Sequence, residues 1–335
     1  MLGQVKKLVP PDFPARFGAW WDGRDYAPPA DMEDAPAAQE AAEPAPAEAA
    51  PPRPKPAPDR VGPPVSAAPL RIRALEALWG EGRFTPGSDT LDRMLLDAAF
   101  ETADGTGSIG FIGADPALLS ACRGRSDRPI HACEWRAGCT GRVGELLPGL
   151  AVEQADVDRP RGLPEGGLAA LVSFDAFAYA DHKAGLATRA FKALGPSGRW
   201  VAVDTVRHTK KTPPEPFASA FAEPMLGSIE ETEDVLRLAG FRSVRRESLT
   251  QTVLEAAARR YQAFAVALED AVREAVADPG GALFLQELTW EAHAWRARMR
   301  ALSGGALSLE MWVADKGEGG AKPAADAADP LFDPA

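Results

Sequence analysis

The chain predicts an α/β domain built on a seven-stranded, mostly parallel sheet, with helices on both faces and a helical insertion between strands six and seven. Three observations carry that reading. Residues 167–204, GLAALVSFDAFAYADHKAGLATRAFKALGPSGRWVAVD, run as apolar segment, acidic turn, helical stripe, Gly/Pro turn and second apolar segment. Strand-like and helix-like segments alternate on either side of this stretch. Residues 306–314, ALSLEMWVA, alternate as a late strand does.

The elements follow in order. Arg71 to Trp79 and Asp89 to Phe100 have the helical period, with Ser88 or Asp89 as an N-cap. Ser108 to Gly113, Pro129 to Cys133 and Leu150 to Gln154 read as strands one, two and three. Leu168 to Phe174 is strand four, because a strand covered on both faces needs a continuous apolar run. Lys183 to Leu194 sets Leu186, Ala190 and Leu194 on one stripe, and Gly195-Pro196-Ser197-Gly198 stops that helix. Trp200 to Val203 is strand five, ending at Asp204. A helix between two buried strands is a parallel crossover. Glu230 to Leu238 is a helix closed by Gly240, and Phe241 to Glu247 is strand six. Thr252 to Ala277 and Leu285 to Leu302 form the inserted helical pair, placed to cover the substrate side. Strand seven then runs antiparallel to its neighbours.

Composition divides the chain into four parts. Residues 1–26 predict a short amphipathic helix, with Asp12 as cap, Pro14 in its first turn, and Phe13, Phe17 and Trp20 or Trp21 on one face. Such a helix docks on the main domain, or meets a protein partner or membrane surface with help from Lys6, Lys7 and Arg16. Residues 27–69 are rich in Ala, Pro and Glu and hold almost no large apolar side chain, so a disordered linker is expected. Residues 70–316 are the folded domain, and 317–335 resemble the linker.

Of 335 residues, 45% are hydrophobic, an ordinary globular share. A net charge of −11 and the lack of a basic block argue against nucleic-acid binding. Cys122, Cys133 and Cys139 fit a reducing, cytoplasmic compartment. Neither they nor His131 and His182 are spaced as metal ligands. No apolar run approaches a membrane span.

In doubly wound sheets ligands bind beyond the carboxyl ends of the strands. Three acids stand at three such ends: Glu134 in HACEWR, Asp156 in EQADVD, and Asp175 in FDAF, which Phe177 follows. Each has a plainer reading as a turn or cap residue. The two strands with the L-x-P-x-G-x turn between them closely resemble strands four and five of class I S-adenosylmethionine-dependent methyltransferases, a Rossmann-like family. That resemblance implies roles. Glu134 would accept the ribose hydroxyls, Asp156 would face the adenine amino group, and Asp175 with Phe177 would line the site near the sulfonium. The order of elements over 70–316 is nearest to the phosphoethanolamine N-methyltransferases and related small-molecule enzymes. It implies a lid made by Gly80-Glu81-Gly82 and Thr85-Pro86-Gly87.

The cofactor loop departs from the family. Where D/E-x-G-x-G-x-G is expected after strand one, this chain has Phe111, Gly113, Asp115 and Ala117. Gly113 is kept. Asp115-Pro116 looks instead like a helix N-cap followed by proline, and its carboxylate would repel that of the cofactor's methionine. The family's catalytic histidine position falls on Tyr179, with His182 one turn later. Its phosphate-binding Arg and Tyr fall on Ala222 and Pro224, which speaks against a phosphobase substrate. His208, beyond strand five, is a further candidate base. His293, between Trp290 and Trp295, reads as a structural histidine. Arg296, Arg298 and Arg300 suit an anionic substrate or a solvated helix face. Two functions are therefore expected. One is methyl transfer from S-adenosylmethionine to a small amine or hydroxyl, with Tyr179, His182 or His208 taking the proton. The other is a catalytically inactive relative that keeps the fold as a binding or scaffold module.

Overall fold

A computed structural model describes residues 67–101, 107–113, 115–136, 138–208, 213–221 and 225–317, together with Ala15. The expected helix over 1–26, apart from Ala15, and the tail beyond 317 lie outside the described residues. So do 27–66 of the expected linker, and Ala222 and Pro224.

Two helices, α1 (Ala67–Trp79) and α2 (Asp89–Phe100), precede the sheet. The first begins four residues earlier than its period suggested, so 67–69 are helical rather than linker. Ser88 caps α2, its hydroxyl accepting from the Leu91 amide at 3.2 Å. The strands are β1 (Ser108–Ile112), β2 (Ile130–Glu134), β3 (Val152–Gln154) and β4 (Leu168–Phe174), then β5 (Leu194–Arg207), β6 (Ser243–Ser248) and β7 (Leu307–Asp315). Between them lie α3 (Pro116–Arg125), α4 (Cys139–Leu146), α5 (Ala176–Tyr179), α6 (Lys183–Ala193), α7 (Glu215–Ala220) and α8 (Ile229–Leu238), then α9 (Thr250–Ala277) and α10 (Pro279–Ser303).

The strand order is β3-β2-β1-β4-β5-β7-β6. The first five strands are parallel, and β7 inserts antiparallel between β5 and β6. The architecture is thus the seven-stranded, helix-flanked sheet expected, with the α9–α10 pair inserted between β6 and β7 as the periodicity predicted.

Strand five differs most from expectation. It runs on to Arg207, so Asp204 lies inside the strand and is fully buried rather than at its end. The reason is β7, which pairs residue by residue from Arg199↔Asp315 to Arg207↔Leu307 and holds β5 extended beyond the end of β4. At the other end, Leu168 pairs with Leu194 but Ala170 pairs with Arg199. The Gly195–Gly198 stretch therefore bulges within the ladder after α6 has ended at Ala193.

The core on one side of the sheet is aromatic. Trp200 meets Phe177 at 5.1 Å and Phe241 at 5.8 Å between ring centres, and Phe241 meets Phe191 at 5.3 Å. The buried Trp200 N–H is satisfied by the Ser173 hydroxyl at 2.9 Å. A capping box at Ser228 and Glu231 starts α8, and Gly240, with φ +107°, closes it. At the amino edge of the parallel strands, buried Arg199 donates to Asp315 at 2.6 Å and to Glu101 and the Ala98 carbonyl at 2.9 Å. The three cysteines are free and buried. Among the described residues no helix is long and apolar enough to cross a membrane. No cluster of three or more His, Cys, Asp or Glu there could hold a metal.

Candidate functional site

The carboxyl ends of β1, β2, β4 and β5 converge on one edge of the sheet, and the site is built there. Gly113 follows β1 in the left-handed region, φ +69°, its amide bonded to the Cys133 carbonyl of β2 at 2.9 Å. A Cβ placed on Gly113 would lie 2.2 Å from Cζ3 of Trp135. The indole that follows β2 therefore lies directly against the glycine that, in the resemblance, makes room for cofactor.

Glu134, the last residue of β2, is 1% exposed. Both of its carboxylate oxygens are taken by Arg136. Oε1 accepts from the Arg136 amide at 2.7 Å and from Nε at 2.9 Å, and Oε2 accepts from Nη2 at 2.7 Å. Such a two-pronged fork is the strong form of the charged hydrogen bond. The same guanidinium lies 3.6 Å from Asp115 and over the rings of Phe84 and Trp135.

Asp115 is the backbone N-cap of α3 ahead of Pro116, as its sequence suggested, but its side chain makes no capping bond. It turns instead to the 80–87 segment, accepting from the Thr85 hydroxyl at 2.8 Å and the Thr85 amide at 3.2 Å. The Gly82 carbonyl in turn accepts from the Ala117 amide at 3.0 Å. The expected lid is thus fastened onto the loop after β1. Burial raises the Asp115 carboxyl above its ordinary range, against the pull of Arg136 and Thr85.

Beyond β4, Asp175 is the one described non-glycine residue at positive φ, +54°. A non-glycine residue rarely holds that conformation without local hydrogen bonding. Here the carboxylate is held by Arg298 at 2.7 and 2.8 Å and by the Thr205 hydroxyl at 3.0 Å. Arg298 also contacts Thr205, and its guanidinium lies over Phe221 and Trp295. It is buried, which corrects the solvated-face reading. The α9–α10 insertion delivers it.

Next to this pair, Asp204 accepts from the Phe177 and Ala178 amides at 3.0 and 2.8 Å. Burial first, and the Asp175 charge second, push its carboxyl up to about 8.

A cavity of about 240 Å³ remains at this edge, bordered by Trp135, Arg136, Asp175, Tyr179, Trp295 and Arg298 among others. Of the expected bases, Tyr179 alone borders it. Burial first, then Asp175, push its phenol up to about 12, so near neutral pH it is a proton donor rather than a base. His182 is exposed at the start of α6, its amide tied to Asp158 at 2.8 Å. His208 is exposed too, and stands five residues past Val203, the partner of Phe174, a rise of about 16 Å along the strand.

Asp156 is an exposed turn residue accepting from the Asp158 amide at 2.9 Å. Phe177 has its ring in the core against Trp200. Arg136 is the residue that sequence reasoning passed over, although the E-x-R spacing was a local signal for it. Arg298 was read as an anion contact or a solvated residue, and nothing local marked its pairing with Asp175.

The nucleoside of S-adenosylmethionine does not fit this arrangement. Trp135 fills the approach to Gly113, Arg136 engages both carboxylate oxygens of Glu134, and Asp115 is bonded to Thr85. The remaining volume is below the roughly 300–1,000 Å³ usual for ligand pockets.

No protein-family model matches the chain, and no curated protein matches it in sequence. Solved structures do match its fold. Phosphoethanolamine N-methyltransferase 2 of Haemonchus contortus, bound to phosphomonomethylethanolamine and S-adenosylhomocysteine, aligns at TM-score 0.59 with 16% identity over 74% of this chain. The match spans only 57% of that enzyme's length. The [4+2]-cyclase SpnF aligns at 0.52 with 15% identity, covering 76% of this chain and 93% of its own. Geranyl diphosphate C-methyltransferase of Streptomyces coelicolor, also bound to S-adenosylhomocysteine, aligns at 0.51 with 12% identity, over 68% and 75% of the two chains. Strand order, the antiparallel β7 and these likenesses together establish that the chain has the class I S-adenosylmethionine-dependent methyltransferase fold.

Proposed function

We propose that this protein is a catalytically inactive methyltransferase-fold module, working by binding or scaffolding rather than by methyl transfer. One observation carries the reading: the residues that would cradle a nucleoside are bonded to one another. Trp135 rests on Gly113, and Arg136 joins Glu134 to Asp115. A fold does not entail its commonest activity, and one structural neighbour carries the name of a cyclase. The aromatic-bearing segment 1–26 is the part of the chain whose composition best suits a protein partner.

The test is calorimetric and thermal-melt titration of the full chain with S-adenosylmethionine and S-adenosylhomocysteine. A ligand at a hundred times its Kd adds about 2.7 kcal/mol to the stability of the native state. No saturable heat and no rise in Tm are expected. A clear rise with either compound overturns the proposal.

The second reading, methyl transfer to a small amine or hydroxyl, is favoured by the cavity at the same edge and by Tyr179, which borders it. It requires Trp135 and Arg136 to swing away. A cofactor-dependent rise in Tm that is larger in Trp135→Ala would support it.

A further inference from the structure

The cavity at the sheet edge is too small for a nucleoside cofactor, yet its 240 Å³ exceeds the roughly 150 Å³ that suffices for one benzene ring. Two aromatic pairs border it. Trp135 and Tyr179 stand 6.3 Å apart between ring centres, and Phe221 and Trp295 stand 5.4 Å apart. Ile72 and Leu75 of α1 extend the apolar wall. Such a lining suits a flat body of about two fused rings.

The polar groups of the wall narrow the class. Three guanidiniums border the cavity, and each already has a carboxylate: Arg71 meets Glu291 at 2.6 Å, Arg136 meets Glu134 at 2.7 Å, and Arg298 meets Asp175 at 2.7 Å. No negative charge is therefore called for, and a cation would meet three positive groups. What remains open is hydrogen-bond donors. Arg298 is 4% exposed, and its bonds to Asp175 and Thr205 all run through Nη2. Among the described residues its Nε and Nη1 have no acceptor. The Tyr179 hydroxyl likewise makes no hydrogen bond there, and it keeps its proton near neutral pH. The charge of Arg298 acts on that phenol, so the two donors lie in one neighbourhood. Donors enclosed among aromatic rings favour an acceptor oxygen, because a buried donor left unbonded is costly.

On the reading of this chain as a binding module with no cofactor in the cavity, we infer that the cavity binds a neutral, planar two-ring compound bearing a carbonyl oxygen, of the aromatic lactone or lactam kind. Its rings lie among Trp135, Tyr179 and Trp295, and its carbonyl accepts from Tyr179 and Arg298.

The full chain is titrated by calorimetry with coumarin, with indole, and with coumarin-3-carboxylate. Coumarin has two rings and a carbonyl. Indole is of similar size and offers a donor but no carbonyl. The third compound adds a negative charge to the first. Saturable coumarin binding is expected with a Kd of about 1 mM or tighter. Indole should bind at least about tenfold more weakly, since it leaves both donors unbonded. Coumarin-3-carboxylate should bind no more tightly than coumarin. Tyr179→Phe, checked for a cooperative melt, should weaken coumarin binding about three- to tenfold through loss of one neutral hydrogen bond. The comparison of coumarin with indole needs no variant and stands whether or not Tyr179→Phe folds. Four results overturn the inference: no saturable coumarin binding, indole binding as tightly as coumarin, tighter binding of the carboxylate, or undiminished coumarin binding by a folded Tyr179→Phe chain. Coumarin held elsewhere on the protein would give the last of these. No cofactor enters these titrations, so their outcome is read apart from that with S-adenosylmethionine. A rise in Tm with that compound overturns the inactive reading alone, and a failure to bind coumarin overturns the ligand class alone.

Discussion

The indole of Trp135 stands where any side chain at position 113 would have to go: a Cβ on Gly113 would come within 2.2 Å of Cζ3 and 2.4 Å of Cη2. The two residues directly follow neighbouring parallel strands, and each is conditioned by the other. Gly113→Ala should cost about 2–4 kcal/mol, from overpacking and from its left-handed backbone. In a Trp135→Ala background the overpacking part should vanish, leaving about 1–2 kcal/mol. Urea denaturation of the four chains forms a double-mutant cycle. Equal costs in both backgrounds would show that the indole is not what excludes a side chain.

Glu134 and Arg136 should behave as a unit. Removing either leaves the other charged and largely enclosed, a loss of up to about 3–5 kcal/mol. Replacing both with alanine should cost clearly less than the two single losses added. Additive losses in denaturant titrations would mean that each side chain has independent partners. The same variant bears on cofactor binding, since Glu134→Ala should leave the calorimetric response to S-adenosylmethionine unchanged.

Asp115→Gly removes the acceptor for both donors of Thr85. The expected cost is about 1–3 kcal/mol for buried groups left unpaired, with faster hydrogen exchange at the Thr85 amide. Asp115→Asn keeps one oxygen acceptor and should lose less. Unaltered exchange at Thr85 in the glycine variant would sever the link between this carboxylate and the 80–87 segment.

Asp204 gives stability a pH dependence of definite sign. Its folded carboxyl is raised to about 8, against about 3.9 in an unfolded chain. The folded state therefore binds the proton more tightly. This contribution is full below about pH 4 and declines as pH rises through about 8. Asp204→Asn should flatten the fall in Tm between about pH 5 and 8 relative to wild type. An identical pH profile in the variant would place the titration elsewhere.

Much of the fold was legible because its strands are covered on both sides and so read as unbroken apolar runs. Leu168–Phe174 was bounded correctly from sequence for that reason. The full length of β5 was hidden. Asp204 looks like a terminus, and only pairing with β7 a hundred residues later keeps the chain extended past it. The acids at the strand ends were legible as positions but not as partners. Whether Glu134 faces a ligand or its neighbour Arg136 depends on which way two side chains turn. Nothing local ties Asp175 to Arg298, 123 residues away, or Asp115 to Thr85, 30 residues back. The helical position of Arg298 likewise read as an anion contact or a solvated face, and packing of the inserted helices put it inside.

The place of β7 has a consequence for biosynthesis. It is the last of the described strands to be made, yet it lies inside the sheet, flanked by β5 and β6. While residues 307–315 are still in the ribosome, β5 has a bare edge and β6 has no strand beside it. Unpaired strand edges of this kind recruit other chains. Completion of the sheet beyond β5 thus waits for residues 307–315 to emerge, and a nascent chain stalled before Leu307 would be a substrate for chaperones rather than a shorter version of the domain.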